Sequence, residues 1–155
     1  MQDPWSLTIA ALHGEPWRLW TGHIAHWDAR HFVLDALAAV PPLMMVRKRV
    51  VLWCIAAAPV ISLVILAVHP NVAYRGMSAL VVGLWVLTGN RAMLALVLAK
   101  LIIESIVPLH FVGVPPMPLA HWAGFLSGAV VSLWRGTLSA PAKSRPPQWT
   151  HWLLH

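Results

Sequence analysis

The chain has 155 residues, of which 59% are hydrophobic and only 10% charged. Soluble domains carry about a quarter charged residues, and the mean hydropathy of +0.69 also points to an integral membrane protein. The formal charge of +6 does not imply a nucleic-acid partner, because most basic residues flank apolar runs, where membrane topology accounts for them.

A single cysteine, Cys54, lies inside an apolar run and excludes both a disulfide framework and a cysteine metal knuckle. No cofactor is expected. Residues 1–13 contain Asp3 and no basic n-region, so no cleavable signal is expected either.

Residues 1–22 are short of apolar length and contain Pro4, Glu15 and Pro16. They read as an interfacial segment with Trp5, Trp17 and Trp20 at headgroup level. A membrane domain follows over 23–135. Its first segment, 23–46, is polar above (His23, His26, Asp28, Arg30, His31, Asp35) and apolar below, and Pro41-Pro42 should end or kink it.

Arg47-Lys48-Arg49 forms a basic hinge. Val50–Val68 is a nineteen-residue run without charge, the clearest spanning helix. Ser78 opens a short apolar run ending near Asn90, and residues 92–107 form a helix interrupted by Lys100 and Glu104. A proline-rich loop precedes the last helix, 121–134, and a basic, proline-rich tail occupies 136–155.

The expected fold is therefore all-α and polytopic, with about five transmembrane helices. Five spans place Arg47, Lys48, Arg49, Arg91, Arg135, Lys143 and Arg145 on one side, which should be cytoplasmic. The amino terminus is then outside, in the periplasm if the protein resides in a bacterial inner membrane.

The turn Tyr74-Arg75-Gly76-Met77-Ser78-Ala79 leads straight into hydrocarbon. Ser78 suits a plain helix N-cap; alternatively it is a nucleophile whose base is His121. Helical rise separates the two readings. Counted from the cytoplasmic anchors, Ser78 stands about 18 Å up, His121 about 21 Å, Glu104 about 20 Å, Asp35 about 18 Å and His31 about 24 Å. Polar residues of four helices thus share one level of a hydrocarbon core about 30 Å thick, and intramembrane polar residues usually mark a function.

These residues resemble the rhomboid intramembrane serine proteases. Trp17-Arg18, His26 and His31-x-x-x-Asp35 resemble the family's Trp-Arg, His and His-x-x-x-Asn; Gly76-Met77-Ser78-Ala79 resembles Gly-x-Ser-Gly; His121-x-x-Gly124-x-x-x-Gly128 resembles the sixth helix. The resemblance runs from Trp17 to about Trp134, and Lys100-x-x-x-Glu104 and the short length look most like the rhombosortase branch. It implies a rhomboid-like bundle of which this chain supplies the last five of six helices. It also implies cleavage of transmembrane C-terminal tails, such as Gly-Gly sorting signals, on the periplasmic side. The partners implied are a membrane-protein substrate with a transmembrane helix and the lipid bilayer.

On this reading Ser78 attacks the scissile carbonyl and His121 acts as base in a dyad, since no third acid lies at that level on its own helix. The Ser78 N–H and His31 would hold the oxyanion, with His26 and Gly76 in support, and Gly124 and Gly128 would bring the last helix close to that of Ser78. Asp35 stands where the family carries Asn; it is either protonated or orients His31 or His26. The polar residues His23, His26, Asp28 and Arg30 would line water entry, and Lys100 with Glu104 would form an internal ion pair. Two alternatives are a catalytically inactive rhomboid-like binder of transmembrane helices and a metal site built from His23, His26, His31 and Asp35.

Overall fold

The computed structural model describes residues 5–46, 50–107 and 117–138, with side chains as far as Trp134. The basic hinge at 47–49, the proline-rich loop at 108–116 and the tail from 139 lie outside the described residues. What is described is all-helical: α1 (Ile9–Leu12), α2 (Arg18–Thr21), α3 (Ala29–Met45), α4 (Val50–Val68), α5 (Ser78–Leu87), α6 (Arg91–Ile106) and α7 (Pro118–Leu138). Among these, α4 alone is long and apolar enough to cross a membrane by length and composition, and α5 is a shorter apolar helix.

Helix α5 is the centre of the bundle and touches α3, α4, α6 and α7. Its ten residues carry no charge, and Ala79, Val81, Val82, Gly83, Leu84, Val86 and Leu87 are all buried. A helix that is apolar all round belongs in an interior.

Its tightest neighbour is α7. A Cβ added at Gly124 would lie 1.9 Å from the Ala79 carbonyl oxygen, and one at Gly128 would lie 2.6 Å from that of Gly83. Small residues four apart on both helices therefore let the backbones meet.

Two features depart from the sequence expectation. Pro41 and Pro42 neither end nor break α3, which runs on to Met45. Pro42 lacks the N–H that would bond Ala38, and the Trp85 indole of α5 donates to that carbonyl at 3.0 Å. Pro59 in α4 leaves Ile55 in the same state, and Trp20 donates to it at 2.8 Å. Indoles from elsewhere in the chain thus satisfy acceptors that proline frees.

The second departure is the N-terminal segment, which packs as a cap rather than merely resting at an interface. Leu7 is fully buried, and its N–H and C=O pair with those of Tyr74 at 3.0 and 2.9 Å. Arg18 is buried, donates to the Ser6 carbonyl at 2.8 Å and pairs with Glu15. Arg75 bonds the Ser6 hydroxyl and stacks over Trp27 at 4.4 Å. Trp5 and Trp17 stay exposed.

The outward faces are apolar as well. Leu37, Val40 and Met44 of α3, Leu52 and Leu63 of α4, Ile102 and Ile106 of α6, and Leu126, Val130 and Leu133 of α7 are all exposed. At its end, α7 reaches Leu138, past the expected tail boundary at 135.

Candidate active site

The site is built on the turn before α5. Gly76 has φ +123°, a conformation reserved for glycine, and a Cβ there would also lie 2.8 Å from the His31 ring. The turn is held from several sides. The Gly76 N–H donates to Gly22 O at 3.0 Å, and the Tyr74 hydroxyl donates to Gly76 O at 2.8 Å. The Met77 N–H donates to Asp35 Oδ2 at 3.1 Å.

Met77 is the N-cap residue and Ser78 the first residue of α5, so the plain capping role weighed for Ser78 is not the one it has. Its hydroxyl instead meets His121 Nε2 at 2.9 Å. His121 is buried in the first turn of α7, which opens on Pro118, a residue suited to that position. The two residues are 43 apart in sequence; the Ala79–Gly124 backbone contact brings them within bonding reach.

Behind the imidazole stands Glu104 of α6. Its Oε2 lies 2.8 Å from His121 Nδ1, and its Oε1 accepts from Lys100 Nζ at 2.6 Å. An ionised carboxylate can only accept, so Nδ1 carries the proton and Nε2 is left to accept from Ser78. Lys100 Nζ is also 3.4 Å from Nδ1; the shorter contact to the carboxylate decides the tautomer. The expected Lys100–Glu104 pair is therefore present, but Glu104 also reaches the histidine. Reading α7 alone missed this acid, because it comes from another helix. Its estimated depth, within about one residue's rise of that of His121, was the available signal.

Asp35 joins the turn to His26, which precedes α3, and to His31 in its first turn. His26 Nε2 lies 3.2 Å from its Oδ2 and His31 Nε2 3.6 Å. A side chain accepting from Met77 and facing two histidines is an orienting acceptor, which favours that alternative over donation to an oxyanion. His31 packs against Gly76, and its buried Nδ1 has no hydrogen-bond partner among the described residues.

His23 is placed differently from the expectation. It does not line a water entry but is buried at 1% exposure, with Nε2 3.0 Å from Ala58 O and 3.1 Å from Ser62 Oγ. It thus faces α4 while His26, His31 and Asp35 gather at the turn. Among the described residues no group of three or more His, Cys, Asp or Glu is arranged to hold a metal.

Beside Ser78 an open cavity of about 280 Å³ runs between α3, α5 and α6. Asp35, Ser78 and Lys100 supply its polar lining, and Val81, Trp85, Met93 and Leu96 its apolar wall. Against known proteins, no family model matches this chain and no curated protein matches it.

Proposed function

We propose that this chain is a membrane-embedded serine endopeptidase of the rhomboid type, related to the rhombosortase branch. The observation that carries the reading is the 2.9 Å bond between Ser78 Oγ and His121 Nε2. A serine is a weak nucleophile until a base is within hydrogen-bond reach, and here Ser78, at the head of the short apolar helix α5, has His121 of α7 within that reach.

Ser78 Oγ attacks the scissile carbonyl while its proton passes to His121 Nε2. Collapse of the tetrahedral adduct breaks the C–N bond, and His121 returns the proton to the leaving amine. Water then attacks the acyl-serine with His121 again as base, the ester C–O bond breaks, and His121 returns the proton to Ser78 Oγ. The Ser78 N–H belongs to the first turn of α5, where helices leave N–H groups without intrahelical acceptors, and is the donor for the oxyanion.

The exposed apolar faces of α3, α4, α6 and α7 support a polytopic membrane setting. At ten residues, α5 rises only about 15 Å, half a bilayer core, so Ser78 is sunk below one surface. The cavity beside it, apolar along one wall, suits an apolar segment such as a C-terminal transmembrane tail. The reading places the site toward the periplasmic face of a bacterial inner membrane.

The test is cleavage of a membrane-anchored reporter ending in such a tail, with both proteins in one vesicle. Cleavage by the wild type and none by Ser78→Ala is the expected result. Binding without cleavage by the wild type would favour an inactive helix-binding relative.

A further inference from the structure

We propose that Glu104 is a positioning residue for His121, and that Lys100 holds Glu104 in that role. This rests on the reading of Ser78 and His121 as nucleophile and base. The side chains of His121 and Glu104 are 8% and 10% exposed, and their 2.8 Å contact leaves Nε2 facing Ser78. When His121 takes the serine proton, the carboxylate lies against the imidazolium that forms.

Lys100, one turn earlier on α6, occupies the other oxygen at 2.6 Å. The lysine thus leaves Oε2 for the histidine and gives the sunken carboxylate a counter-charge, without which a buried ion is costly. A second, separate contact joins the same two helices beside this one. Ser105, the residue after Glu104, accepts from the indole of Trp122, the residue after His121, at 3.0 Å.

The competing account is that Glu104 only neutralises Lys100, or only docks α6 on α7. Four variants separate these roles: Glu104→Gln, Lys100→Met, the double variant Lys100→Met/Glu104→Gln, and Ser105→Ala. The maximal rate of fluorophosphonate labelling and the concentration for half-maximal rate are measured on the membrane-reconstituted protein, with thermal unfolding as a check on folding.

Positioning requires Glu104→Gln to lower the maximal rate on the order of 10³–10⁴-fold, as loss of the orienting acid does in other serine hydrolases. The half-saturating concentration should hold, and Lys100→Met, which keeps the carboxylate but loses the cation that holds it, should be slowed by less than Glu104→Gln; a wild-type rate in Lys100→Met would overturn the lysine's part. The double variant should stay as slow as Glu104→Gln, because removing the lysine charge does not restore the carboxylate, and Ser105→Ala should label within about threefold of wild type.

Wild-type rates for Glu104→Gln would overturn the proposal. So would recovery in the double variant, which means charge pairing alone, or an equal loss in Ser105→Ala, which means docking alone. A well-folded wild type that labels no faster than Ser78→Ala would remove the serine reading itself and this proposal with it.

Discussion

Gly124 lies so close to Ala79 that a single added methyl would overlap the Ala79 carbonyl oxygen, at 1.9 Å. One turn along, a methyl added to Gly128 would lie 2.6 Å from the Gly83 carbonyl oxygen. These contacts set the distance between Ser78 and His121, which lie one residue before Ala79 and three before Gly124. Gly124→Ala must therefore push α7 away from α5. Overpacking of this kind costs roughly 1–3 kcal/mol, and the 2.9 Å serine–histidine bond should be lost with it. Fluorophosphonate labelling should fall sharply in Gly124→Ala and less in Gly128→Ala, whose contact is further from Ser78. A Gly124→Ala protein that labels and unfolds like wild type would contradict this.

Asp35 accepts from the Met77 N–H and faces His26 and His31. Asp35→Asn keeps an oxygen for Met77 and much of the shape, so it should fold and retain part of the labelling rate. Asp35→Ala leaves a part-buried N–H without its acceptor, at a cost of about 1–3 kcal/mol, and should lose more. Comparing unfolding and labelling of the two variants checks the order. Equal, complete loss in both would mean that the negative charge itself is required.

Much of this architecture was legible in the residues, and what was not shares one cause. The bounds of α4 followed from its uncharged run, and the Gly124/Gly128 face from its spacing. Helical rise put Ser78, His121 and Glu104 at one level. Height along a helix can be counted, but rotation about its axis cannot, so only the packed bundle reveals that Glu104 faces His121.

The same limit explains Pro41-Pro42, where continuity of α3 depends on Trp85 from α5. It explains His23 too: its polar neighbours suggested a wet funnel, whereas the chain turns the ring into α4. The N-terminal cap was illegible because its stability comes from a backbone pairing between Leu7 and Tyr74 that no local pattern announces.

We propose Ser78 as an activated nucleophile with His121 as its base, and fluorophosphonate labelling of the membrane-inserted protein, with the adduct located by mass spectrometry, is the decisive test. Expected are an adduct on Ser78 in the wild type, none in Ser78→Ala, and near-complete loss in His121→Ala while both variants still insert and fold. An unlabelled but well-folded wild type, or undiminished labelling in His121→Ala, would contradict it.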